Sequence, residues 1–249
     1  MTDASANAHP SRRDMLLAAG GLSLLAAATT ATAQVPFEPP VPPTGEKKRL
    51  GMVLFDGFQL LDVFGPLEMF SHVRDRVEIV LIAQKAGPVK SAAGPVTLAD
   101  FGFADAPKLD IVMIPGGGGT RREVNNADFV AGFRALAQAT PQVVAICTGS
   151  AVLARTGLID GVRATTNKMS WKWATGQGAK VLWVPRARWV EDGKFISSSG
   201  ISAGTDMALA LIARLYGKDM AQWVANRAEY RWHDDPADDP FARINGLVD

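Results

Sequence analysis

The sequence predicts an α/β fold, a doubly wound and mainly parallel sheet sandwiched by helices. Three observations predict it. Short apolar runs rich in β-branched residues are bounded by turn residues, as buried parallel strands are. Amphipathic stretches of helical period lie between those runs. The chain of 249 residues is 47% hydrophobic and 20% charged, which is enough apolar matter for one sizeable core.

The strands are expected at Leu50 to Phe55, Val77 to Ile82, Ile111 to Ile114 and Val143 to Ile146. Helices are expected from Pro66 to Val73, from Ala127 to Ala139 and from Ser150 to Arg155, the last continuing directly out of the fourth strand. Further strands are expected at Val181 to Val184, Arg188 to Val190 and Phe195 to Ser197. The last two are joined by the hairpin signal Glu191-Asp192-Gly193-Lys194. Ala203 to Tyr216 is the clearest helix, with Thr205 or Asp206 placed to cap it and Gly217 to end it. A helix from Lys218 to Tyr230 follows, and the acidic, proline-broken tail after His233 is expected to be irregular. There is no internal repeat and no sign of a second domain.

Residues 1–33 read as an address. Arg12 and Arg13 precede an apolar run that reaches Ala28 and is interrupted by Gly20 and Gly21. A spanning helix needs about 20 apolar residues. A shorter run ending in Ala31-Thr32-Ala33 is the pattern of an export signal with a small-residue cleavage site. The paired arginines favour the twin-arginine route, so the expectation is a periplasmic protein cut near Ala33, with no membrane association afterwards. Residues 34–47 are proline-rich and expected to be a linker, and 48–249 a single domain.

Composition excludes several functions. Twenty-six Lys and Arg against 25 Asp and Glu give a formal charge of +1, without the basic excess that binds phosphate backbones, so nucleic acid is not an expected partner. A single cysteine excludes a disulfide scaffold. Beyond the signal only His72 and His233 remain, so no histidine cluster exists to hold a metal, and neither a metal nor a cofactor is expected.

Cys147 is the most informative residue. It closes an expected strand and opens a helix, with Ala145 two residues before it and Gly149 two after, which is the spacing of a nucleophile elbow. A thiol at a helix N-terminus is expected to be favoured as thiolate. An inert core cysteine fits the position equally well. The run Pro115 to Thr120 follows a strand at the same edge of the sheet, and its four glycines could offer N–H donors to a ligand.

Four segments together carry a resemblance: Ala145 to Ser150, Pro115 to Gly118, Leu61 to Pro66 and Gly200 to Asp206. The chain resembles the ThiJ/PfpI superfamily, of flavodoxin-like and class I glutamine amidotransferase-like fold. It is most similar to the isonitrile hydratase branch and to the sensor domains of AraC-type regulators. The similarity covers roughly Lys48 to Tyr230. It implies a small-molecule substrate, a homodimer, and catalysis by Cys147, Thr148 and Asp62. Gly117, Gly118, Asn167, Gly200 and Ile201 are the substrate-binding candidates.

Two departures narrow the chemistry. Thr148 follows the cysteine where the PfpI-type proteases have histidine. Asn167 follows Thr165-Thr166 where relatives commonly carry another histidine, and an amide cannot relay a proton. The resemblance then implies hydration of an isocyanide to an N-substituted formamide through a Cys147 thioimidate. The alternatives are a non-enzymatic redox or ligand sensor, or a cysteine hydrolase or glyoxalase-type enzyme. The regulators carry a DNA-binding domain after the sheet domain, and here about twenty residues follow the last expected helix, which lowers that possibility.

Among other residues, Ser197 to Ser199 could line a pocket, and Asp206 reads as a first-turn residue answering the helix dipole. Trp171, Trp173, Trp183 and Trp189 read as packing residues, and His72 and His233 as solvated. Arg121-Arg122-Glu123 reads as a wet surface with some prospect of meeting an anionic substrate.

Overall fold

The computed structural model describes residues 38–41 and 44–249. The expected signal and residues 34–37 and 42–43 of the expected linker therefore lie outside the described residues. In chain order the elements are β1 (Lys48–Val53), α1 (Leu60–Ser71), β2 (Val77–Ala83), β3 (Gly87–Lys90), β4 (Val96–Ala99), β5 (Phe101–Gly102), β6 (Ile111–Ile114), α2 (Thr120–Glu123) and α3 (Ala127–Ala139). Then come β7 (Gln142–Ile146), α4 (Gly149–Arg155), β8 (Arg163–Ala164), α5 (Trp171–Thr175), β9 (Leu182–Trp183), β10 (Trp189–Asp192), β11 (Phe195–Ser198), α6 (Ala203–Tyr216), α7 (Lys218–Arg227) and α8 (Pro240–Ile244).

The main sheet has seven strands in the order β10-β11-β7-β6-β1-β2-β5. All neighbours pair in parallel except β10, which pairs antiparallel with β11 through the expected hairpin. The α/β fold is thus the one the sequence predicts. Val112, Met113, Val143, Val144 and Ile146 are fully buried, because helices cover both faces of a parallel sheet and leave its strands no solvent side.

Three local expectations are corrected. The first helix begins at Leu60, and Pro66 lies inside it. Proline has no N–H to give the carbonyl four residues earlier, which here belongs to Asp62. The tail is not simply irregular: Pro240–Ile244 is helical, with Asp239 accepting a hydrogen bond from the Phe241 N–H at 3.0 Å. The cap of α6 is Ser202, without a side-chain cap bond, rather than Thr205 or Asp206. Fully buried Asp206 instead anchors the tail. It pairs with Arg188 and accepts from Tyr230 Oη at 3.0 Å and from the His233 N–H at 2.9 Å.

Candidate active site

Four adjacent parallel strands, β11, β7, β6 and β1, run their carboxyl ends to one edge of the sheet. Each delivers one part of the site. β1 leads into α1, whose first turn carries Asp62; β6 ends at the glycine loop; β7 ends at Cys147; and β11 ends near Gly200. This is the edge at which open α/β sheets place ligands.

Cys147 has φ = 56°, one of two described non-glycine residues in the left-handed region. Such a conformation costs energy and persists only where surroundings over-determine it. Here the Cys147 N–H donates to Ser198 O at 3.1 Å, and its carbonyl accepts from Ser150 Oγ at 2.8 Å and Thr166 Oγ1 at 3.1 Å. The turn is a nucleophile elbow in geometry as well as in spacing. Its tightness needs small neighbours: a Cβ at Gly116 would lie 2.6 Å from Thr148 N and 2.8 Å from Cys147 Cβ.

Asp62 is fully buried, and its Oδ2 accepts the Gly116 N–H at 2.8 Å. The carboxyl lies close enough to the Cys147 thiol for each group to shift the other's titration. Burial pushes Asp62 from 3.8 up to about 7, against the lowering effect of the Gly116 N–H and of the thiol. The thiol is pushed well above its usual value, first by burial and then by the Asp62 charge, although the Thr148 N–H and hydroxyl favour its thiolate. The expectation of a helix-stabilised thiolate is therefore corrected. α4 has only seven residues, and desolvation together with a neighbouring carboxylate outweighs its dipole. The result is a pair of neighbouring acids, each harder to ionise than in water.

The glycine loop is mostly committed to the protein. The Gly117 N–H donates to Thr148 Oγ1 at 3.0 Å, and the Gly119 N–H to Gly57 O at 3.1 Å. The N–H of exposed Gly118 has no partner among the described residues, so Gly118 alone of the expected pair keeps a free donor. Asn167 Oδ1 accepts the Ser170 N–H at 2.9 Å, which turns its amide nitrogen away from that turn. A Cβ at Gly200 would lie 2.2 Å from Asn167 Nδ2 and 2.7 Å from Cys147 Sγ, so the amide and the sulfur flank the same glycine. Ile201 beside it is 39% exposed. The structure thus gathers Cys147, Asp62, Thr148, Gly117, Asn167 and Gly200 at one place.

Sequence reasoning missed three supporting groups. Gly116 holds Asp62, and its place in the glycine run is the only signal for it. Thr120 Oγ1 donates to Gly117 O at 2.7 Å and stands 3.2 Å from Thr148 Oγ1. Lys168, buried beside Asn167, holds Thr165 Oγ1 at 2.6 Å and Ala187 O at 2.9 Å and pairs with Asp239 at 3.3 Å. Burial lowers this lysine to about 8 despite the partner carboxylate. Among the described residues no group of three His, Cys, Asp or Glu is placed to hold a metal ion.

The profile of the DJ-1/PfpI family matches residues 48–214. The chain belongs to that family. It is 35% identical to the isonitrile hydratase of Pseudomonas putida over 184 residues, 73% of this chain and 78% of that enzyme. It is 30% identical to the HTH-type transcriptional regulator GbdR of Pseudomonas aeruginosa over 203 residues, 78% of this chain and 54% of the regulator. A crystal structure of a ThiJ/PfpI family protein from Pseudomonas syringae superposes with a TM-score of 0.70 at 27% identity, covering 85% of each chain. Within this family, enzymes and regulators share the same sheet, so the chemistry of the site has to distinguish them.

Proposed function

We propose that this protein is an isonitrile hydratase-like enzyme that adds water to an isocyanide and releases an N-substituted formamide. The observation that carries the reading is the buried Asp62–Cys147 pair, which holds its protons to unusually high pH and has no histidine beside it. An isocyanide carbon accepts a nucleophile and a proton at the same atom, so it suits a thiol whose proton has a local carrier. The similarity to the Pseudomonas putida enzyme supports the same reading.

In the proposed sequence Asp62 takes the thiol proton as Cys147 Sγ bonds to the terminal carbon, and returns it to that carbon. The product is the thioimidate R–N=CH–S–Cys147. Asp62 then draws a proton from water as its oxygen adds to the carbon, and the nitrogen is protonated. Collapse of R–NH–CH(OH)–S–Cys147 breaks the C–S bond, gives the thiol back its proton and releases R–NH–CHO. The Thr148 N–H and hydroxyl hold the sulfur while it carries charge. Asn167 Nδ2, which flanks Gly200 together with the sulfur, is the group we assign to orienting the substrate or the water.

The test uses the purified protein and cyclohexyl isocyanide, with N-cyclohexylformamide followed by chromatography. Turnover is expected from the wild type and none from Cys147→Ala or Asp62→Ala. Absence of product from the wild type would reject the reading. We also propose export by the twin-arginine route, on the strength of Arg12-Arg13 ahead of the apolar run. Fractionation of cells expressing the full chain should find it in the periplasm, and Arg12→Lys with Arg13→Lys should retain it in the cytoplasm.

A further inference from the structure

Two segments that flank the site carry exposed residues: the glycine loop, at Gly118, and the Asn167 turn, at Met169, which is 87% exposed. One side chain joins them. Arg121, in the turn that follows the glycine loop, lies with its guanidinium 4.4 Å from the centre of the Trp173 ring and directs Nη2 toward Ser170 Oγ at 3.5 Å. Ser170 is the residue whose N–H fixes Asn167. The guanidinium is held in place, yet no carboxylate pairs with it among the described residues. The nearby Glu123 is occupied by Arg122 and Asn126. Stacking on an indole locks an arginine without neutralising it and leaves its outer N–H groups for a planar anion. The other acid of the site, Asp62, is fully buried and raised to about 7.

We propose that Arg121 is a specificity-determining residue that directs carboxylate-bearing electrophiles, and hence isocyanides with an anionic substituent, to Cys147. This inference rests on the hydratase reading for its substrate class but not for its test. Cys147 is the only cysteine of the chain, so alkylation reports on its surroundings whatever reaction the protein performs. Rates with iodoacetate and iodoacetamide are compared, each normalised to a small neutral thiol.

Changing Arg121→Gln should lower the iodoacetate-to-iodoacetamide ratio about five- to tenfold at low salt, the range of one charge-assisted contact at a partly exposed site. Lys180→Gln, which removes an exposed cation paired with Asp160, should leave the ratio unchanged. An unchanged ratio in Arg121→Gln, or an equal fall in Lys180→Gln, would overturn the proposal. With an isocyanide carboxylate and its methyl ester, the wild type should show the higher kcat/KM for the carboxylate, and Arg121→Gln should remove that preference. Consumption of both without preference would overturn the role of Arg121. If neither is consumed, the hydratase reading fails while the alkylation ratio still decides whether the rim selects anions.

Discussion

Replacing Asp62 by Asn separates the two effects that this carboxyl group has on Cys147. The carboxylate makes the thiol harder to ionise, and in the proposed chemistry it also carries the proton. Asn has nearly the same shape. Its Oδ1 can accept the Gly116 N–H that Asp62 Oδ2 now accepts at 2.8 Å, and its amide nitrogen then faces the sulfur as a donor. Two unit charges about 4 Å apart repel by about 4 kcal/mol at an effective dielectric constant of about 20. Half of that, allowing for the Thr148 groups that already hold the sulfur, is about 2 kcal/mol, or roughly thirtyfold in thiolate population. Iodoacetamide alkylation followed by intact mass, from about pH 7 upward where Asp62 is ionised, should therefore run at least about tenfold faster in Asp62→Asn. Hydration should fall at least about a hundredfold in the same variant, as expected for loss of a proton-transferring group. Slower or unchanged alkylation would refute the electrostatic account of the pair. Retained turnover would refute the role of Asp62 as proton carrier.

Stability should depend on pH through the same residue. Asp62 is raised from 3.8 to about 7, so between those values the folded chain keeps a proton that the unfolded chain has released, and its stability falls as pH rises, levelling above about 7. The loss is at most about 4 kcal/mol over the whole interval; urea unfolding at about pH 5 and pH 8 should show about 3 kcal/mol of it, and Asp62→Asn should flatten it. Catalysis runs the other way: Asp62 must be ionised to take the thiol proton, so kcat/KM should rise with pH through about 7, and a flat or falling profile there would contradict the assignment. Gly200→Ala should drive Asn167 and the sulfur apart and lower turnover at least about tenfold, with a small change in Tm, because both contacts are side-chain ends that can move. Asp239→Ala leaves Lys168 charged and buried without its carboxylate, which should cost about 3–5 kcal/mol in urea unfolding; Lys168→Met with Asp239→Leu should recover most of it.

How much of this was legible in the sequence follows from the range of the interactions involved. β6, α3 and α6 have the ends expected of them because apolar runs, turn residues and helical spacing are local signals. The elbow at Cys147 was legible for the same reason: a strand, a cysteine and small neighbours are adjacent in the chain. The start of α1 was not, because Pro66 resembles a helix-opening proline, and only the packing of Val63 and Phe70 in the core shows that helix extending back to Leu60. The protonation of the thiol was misread because its causes, burial first and then the charge of Asp62 85 positions away, are not local to the turn. The tail was misread for a similar reason. Its order comes from Asp206, Arg188 and Lys168, which no local pattern after His233 announces. Family resemblance supplied the identity of Asp62, while the burial that gives it acid character near neutrality belongs to the fold.

The covalent step is the most exposed part of the account, and rapid-quench intact-mass spectrometry tests it directly. Within the first turnover of cyclohexyl isocyanide, Cys147 should gain the mass of one isocyanide, and that adduct should decay at the rate at which the formamide appears. Formamide produced at an undiminished rate by Cys147→Ala, or a wild-type adduct that persists without product, would contradict it.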